Sequence, residues 1–196
     1  ARAHGVQVLP VDVLRSEWDT VLEGQGGEGQ LPVRLGLSRI IGLAEDDVRR
    51  LLAARAALAP GETFAGIEDL ARRAALDAHA LQLLAQADAL RSLADHRHQA
   101  AWAVGGIDTR ATPLLRRTRT PEAVAALPAP SAAATVLADY RALGLSLTQH
   151  PVALLREPLA AFKVQPAAVL RSYPNGRLAR ASGIVTHRQR PETARG

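Results

Sequence analysis

Apolar residues recur at helical spacing over 35–104 and 131–143 and thin into short runs elsewhere. LGLSRIIGLAEDDVRRLLAA (35–54) reads as a short helical turn, a tight turn at Gly42 and an amphipathic helix, with Val48, Leu51 and Leu52 on one face at i, i+3, i+4. Ile40, Ile41 and Leu43 bracket Gly42, and a glycine there permits positive φ and close approach of another chain. Pro60-Gly61 ends this helix near Leu58. Gly66 is the expected N-cap of the next helix, with Glu68 and Asp69 at its positive end and Ile67, Leu70, Ala71 and Ala74 facing inward. Asp77 caps a third, with Leu81, Leu84 and Ala85 inward and Asp88 near its end. The pattern predicts two tandem helix–turn–helix units, at about 35–58 and 64–93. The second turn, Ala74-Ala75-Leu76, has no glycine, so its backbone is expected to be less free to approach a phosphate and to serve packing.

Val6–Val13 is a β-branched run broken by Pro10, an edge strand or extended segment. The runs 16–22 and 31–35 flank GQGGEG (24–29). A dinucleotide loop needs a helix directly after its glycines, but the strand-like LPVRL comes next, so a β-hairpin loop is the reading. Arg97–Val104 is expected to be a helix carrying Trp102, broken at Gly105-Gly106. Residues 105–130, with Arg110, Arg116, Arg117 and Arg119, read as a linker. Ser131 then opens a helix closed by Gly144, and Pro151 opens a short one over Val152–Leu155. Leu159–Phe162 and Pro166–Leu170 are short apolar pieces, and Tyr173-Pro174-Asn175-Gly176 is a turn. Arg177–Thr186 is the expected last strand, extended and outside any closed barrel, with Gly183 at a bulge.

Composition narrows the class. Hydrophobic residues make up 47% of the chain but aromatics only 3%, so the core must be built from Ala, Leu and Val, which favours helices. The formal charge of +5 is a mild basic excess compatible with nucleic acid, and Lys163 is the only lysine. With no cysteine, disulfides, a zinc ribbon and a cysteine nucleophile are excluded. No apolar run reaches the roughly 18 residues of a membrane span, and the N-terminus lacks the apolar stretch of a signal peptide. Without methionine, and ending in RQRPETARG, the chain reads as an internal segment of a longer cytoplasmic protein.

His96 and His98 lack a third ligand at suitable spacing, and Ser146 and His150 lack an orienting acid and a nucleophile elbow. Glu45, Asp46 and Asp47 complement the helix dipole rather than bind magnesium. They repel a phosphate, while Arg34, Arg39, Arg49 and Arg50 around them restore a favourable field. The candidate contact is therefore the hairpin backbone at Ile41, Gly42, Leu43 and Ala44 with Arg39, Arg49 and Arg50 beside it. Physics alone gives a helical, mildly basic binding module without a visible catalytic site.

In order, the segments resemble the C-terminal part of bacterial C-family DNA polymerases, relatives of the DNA polymerase III alpha subunit. They are most similar to the error-prone branch of damage-induced mutagenesis, the ImuC type. GVQVLPVDVLRSEWDTVLE (5–23) resembles the end of the fingers region. VRLGLSRIIGLAEDDVRRLLAAR (33–55) and FAGIEDLARRAALDAHALQLLAQADALRSL (64–93) resemble two helix–hairpin–helix motifs. DYRALGLSLTQHPVALLR (139–156) resembles the connector to an OB-fold, and GRLARASGIVTHRQRPETARG (176–196) the opening of that fold. ADALRSL, with Asp88, resembles the error-prone branch, since replicative relatives tend to have glycine there.

The resemblance implies a mainly α fold: a tandem helix–hairpin–helix domain, a helical connector and the truncated start of a β OB-fold. The expected segments are 1–34 (end of the fingers, with short strands), 35–104 (tandem helix–hairpin–helix), 105–130 (linker), 131–170 (connector) and 171–196 (incomplete OB-fold). The implied partners are double-stranded primer–template DNA, single-stranded template at the OB-fold of the parent, and mutasome proteins, with no membrane. The palm carboxylates are absent, so the implied role is to hold duplex DNA by its phosphates while the parent polymerises with magnesium; no cofactor is implied for the segment itself. The alternative is a scaffold that docks mutasome partners with little direct DNA contact. Two departures stand out: Ala44 takes the second hairpin glycine's place, and Val48 stands where a small residue is common. Thr112-Pro113-Leu114-Leu115 lacks the glutamine and aromatic of a sliding-clamp peptide.

Overall fold

In a computed structural model, which describes residues 5–24, 31–107 and 126–189, the helical periodicity resolves into eight α-helices among those residues. The fold is mainly α, with a small three-stranded sheet, and the chain divides into two units, Ala1–Thr148 and Gln149–Gly196.

In the first unit, β1 (Val8–Leu9), β2 (Val21–Leu22) and β3 (Val33–Arg34) form the sheet in the order β1-β3-β2. β1 runs parallel to β3, and β2 pairs antiparallel with it, Leu22 opposite Val33, as a hairpin across 24–29 requires. Most of that glycine run lies outside the described residues. Pro10 follows an edge strand, where its missing N–H costs no ladder bond. The buried Ser16 hydroxyl donates to Leu35 O (2.7 Å) and accepts from the Asp12 amide (3.0 Å), pinning this segment to the residue just past β3.

A 3₁₀ turn (Leu37–Arg39) leads to α1 (Glu45–Ala56), α2 (Ile67–Arg73), α3 (Ala78–Gln86) and α4 (Arg97–Gly105); α5 (Ala132–Leu143) comes after 105–130. Asp77 caps α3 by accepting from the Ala80 amide (2.8 Å), and Ser131 caps α5 by accepting from the Ala134 amide (3.2 Å). Gly144, at φ 72°, closes α5. Leu37, Leu51, Leu70, Leu81, Leu84 and Leu90 are fully buried, each stabilising the fold by roughly 1.5–3 kcal/mol. Val11 and Val13 from before the hairpin and Ala142 and Leu143 from α5 bury in the same core. Segments expected to flank the tandem domain thus share its core.

The second turn serves packing, as expected, but reaches a left-handed backbone without glycine. Ala75 adopts φ 48° without glycine, and Leu76 N donates to Ala71 O (3.0 Å) while burying its own side chain. This is a Schellman stop to α2, in which burial of Leu76 offsets roughly 1 kcal/mol of left-handed strain. The turn after α3 repeats the device with Asp88, at φ 59°, and Ala89 N donating to Leu84 O (2.9 Å).

The second unit holds α6 (Pro151–Leu154), α7 (Arg156–Ala161) and α8 (Ala167–Leu170), and none of its described residues is buried. The expected strand at 177–186 does not form. Among the described residues its backbone makes one local turn bond, Arg177 N to Pro174 O (3.2 Å), and one longer-range bond, Gln165 N to Arg180 O (3.0 Å), and a strand needs a partner ladder. The bulge expected at Gly183 has no strand to interrupt, and no OB-fold is formed among the described residues. No helix among them is long and apolar enough to cross a membrane.

Candidate nucleic-acid interface

Gly36 sets how the chain enters the hairpin. A Cβ there would collide with the backbone of Trp18 and Asp19, because residues 36–38 run against 17–19, with Leu37 N donating to Glu17 O (2.8 Å) and Ser38 N to Trp18 O (3.0 Å). The signal for this in the sequence is a glycine between two core leucines. The turn then passes through Gly42 at φ 85°, the left-handed conformation expected of it, with Leu83 beneath. Ile40 and Leu43 are buried while Ile41 points to solvent.

The hairpin amides are not equivalent. Ile41 N donates to Ala142 O in α5 (2.9 Å), so this N–H is committed inside the protein. Leu43 N donates to Ile40 O (3.3 Å). Among the described residues, Gly42 N and Ala44 N make no hydrogen bond, and Ala44 caps α1 without a side-chain acceptor. The free N–H groups of the turn thus converge on Gly42, Ala44 and the first turn of α1.

The expected arginines separate into distinct roles. Arg34 does not join the site: it is buried, paired with Glu23 and donating to Pro10 O (2.9 Å). Its position in β3 turns it into the sheet, a constraint invisible to sequence proximity. Its hydrogen bond is the main reason the Glu23 carboxyl titrates below the usual range. Arg49 holds Glu45 (2.7 Å) and Asp46 (2.8 Å), and Arg50 holds Asp47 and donates to Ala74 O (3.3 Å), strapping α1 to the end of α2. Arg39 is exposed and makes no ion pair among the described residues. Arg39 is therefore the uncommitted charge at the hairpin. The exposed pairs of Arg49 are worth only about 0.3–0.5 kcal/mol each, little enough for a phosphate to displace them.

Beneath the second turn, Asp69 accepts from Arg72 (2.6 Å), Arg73 (3.1 Å) and the Ala65 amide (3.1 Å). Burial pushes its carboxyl up, but these bonds together bring it below the usual range. His96 and His98 are structural clasps: His96 Nδ1 accepts from Gln99 N (3.3 Å), and the rings meet Leu127 O (3.2 Å) and Pro128 O (3.0 Å). Ser146 donates to Asp139 (2.7 Å), and His150 caps α6 by accepting from Val152 N (3.2 Å). Among the described residues, no three of His, Asp and Glu gather as a metal-binding group. The linker arginines at 110, 116, 117 and 119 and the segment 112–115 lie outside the described residues.

A helix–hairpin–helix motif family model matches residues 5–100, spanning the sheet, both hairpins and the start of α4. Over its whole length the chain is similar to error-prone DNA polymerases: 52% identical to that of Bordetella parapertussis, 50% to that of Ralstonia nicotianae and 44% to that of Pseudomonas paraeruginosa. The chain spans only 18–19% of the length of these curated relatives. Carrying a helix–hairpin–helix motif and aligned end to end at about half identity, this chain is similar over its whole length to a segment of error-prone DNA polymerases.

Proposed function

We propose that this segment holds duplex DNA, without reading its sequence, for an error-prone DNA polymerase acting in damage-induced mutagenesis and translesion synthesis. The observation that carries the reading is the first hairpin, where Gly42 in the left-handed region leaves its own amide and that of Ala44 unbonded beside the unpaired Arg39. A phosphate placed there meets backbone donors and a positive helix end, contacts that position a duplex but carry no sequence information. The catalytic carboxylates and their magnesium belong to other parts of the parent. Single-stranded template at an OB-fold and mutasome proteins are further partners of the whole polymerase on this reading.

Fluorescence anisotropy of the chain with unrelated duplexes over a salt series tests it. Binding at low salt should weaken steeply as salt rises, and Arg39→Glu with Arg49→Glu should weaken it alike for every sequence. No binding at low salt sinks the reading for this segment; wild-type binding by the double variant removes the hairpin as the contact. A second reading, a scaffold for mutasome proteins, draws support from the acids that hold Arg49 and Arg50 and from the commitment of the Ile41 amide to α5. It predicts capture of those partners with no DNA binding.

A further inference from the structure

The two units differ sharply in charge. The described residues of the first carry eleven arginines against fourteen acids, a net of −3. Those of the second, 149–189, carry six basic residues against one acid, Glu157, a net of +5. Pairing widens the gap. In the first unit nine of the eleven arginines sit in ion pairs, leaving Arg39 and Arg141. In the second, none of the six is paired among the described residues, and Arg156, Lys163, Arg171, Arg177, Arg180 and Arg188 are all exposed. Backbone contacts gather several of them. Arg180 Nη1 donates to Phe162 O (3.0 Å), bringing it beside Lys163, and Arg177 stacks over the Tyr173 ring at 4.1 Å, close in the chain to Arg171.

Affinity for a polyphosphate chain grows with the number of cations that displace its counterions, and a cation already held by a carboxylate contributes less. We infer that residues 149–189 form a docking surface for the phosphate backbone of nucleic acid, and that this surface supplies more electrostatic affinity than the hairpin does. The inference rests on the DNA-binding reading and assigns its main cations.

The test uses the whole chain with Lys163→Ala, Arg171→Ala, Arg177→Ala and Arg180→Ala combined, against a labelled duplex and its single strand. The slope of log affinity against log salt should fall by about 0.9 per lost cation on duplex and about 0.7 on single strand, in total about 3.6 and about 2.8. Arg39→Ala with Arg141→Ala should lower it by less than about 2. Loss on both probes, or on one, supports the surface and identifies its form of nucleic acid. A companion variant, Arg171→Lys with Arg177→Lys and Arg180→Lys, retains the charge and should bind as the parent does. Parent-like affinity and slope in the alanine variant, or a loss in the lysine variant equal to the alanine one, overturns the inference. If Arg39→Glu with Arg49→Glu abolishes binding while the alanine variant binds normally, the DNA-binding reading stands and this surface does not. If the parent itself binds neither probe at low salt, both fall.

Discussion

Asp88 occupies a backbone conformation that glycine adopts without strain, and its carboxyl is buried enough that Oδ1 finds no hydrogen-bond partner among the described residues. Burial raises its pKa, while the charges of Arg97 and Arg91, the latter at 3.8 Å, pull the other way and do not fully compensate; Asp139 adds to the rise. A carboxyl whose folded pKa lies above its unfolded value binds more protons when folded. Its ionisation therefore costs stability, a cost absent below the unfolded pKa near 3.8 and fully present once pH has risen above the folded pKa. Asp88→Asn keeps the shape, tolerates the left-handed turn and removes the charge. Urea denaturation should find the variant more stable than the parent at pH 8, with the gap closing as pH falls towards 3.8; a gap that widens on acidification is the contrary result.

Among the elements, the helices of 35–104 are legible because their apolar faces repeat at 3.6 residues and Gly42 punctuates them. What the periodicity does not carry is long-range: the Ala142 carbonyl that takes the Ile41 amide, the sheet that takes Arg34, and the clasp of His96 and His98 on 127–128. Nor can alternation alone make 177–186 a strand, since pairing belongs to two segments and periodicity to one. The helix after the linker reads as a connector because its pattern says only that one face is apolar. The structure shows what that face meets: α5 inserts Ala142 and Leu143 into the core and pairs its buried Asp139 with the buried Arg97 of α4. Removing one partner of such a pair leaves an uncompensated buried charge. Asp139→Ala should thus cost about 3–5 kcal/mol, while Arg97→Met with Asp139→Leu together should cost far less. Chemical denaturation measures both, and equal losses for the single and double variants would remove the pair as the α4–α5 fastening.

On the scale of the whole molecule, stability is concentrated in the first unit, which holds every fully buried leucine. The second unit holds its helices by local bonds and buries no described side chain. Regions with few buried apolar contacts open at little cost. Hydrogen exchange should therefore be slowest at Leu70, Leu81 and Leu84 and close to unprotected across 149–189, with nucleic acid slowing the latter; strong protection there without ligand would show that the unit stabilises itself.

The contacts on either side of 108–125 have a consequence for how such a chain tolerates change. Ile107 packs against the core, while Leu127 and Pro128 are held by the two histidines of α4. Both ends of the intervening stretch are fixed by residues outside it. An insertion at 108–125 alters neither anchor, so both the core packing of Ile107 and the histidine clasp on 127–128 should survive it, and the hairpin's geometry with them.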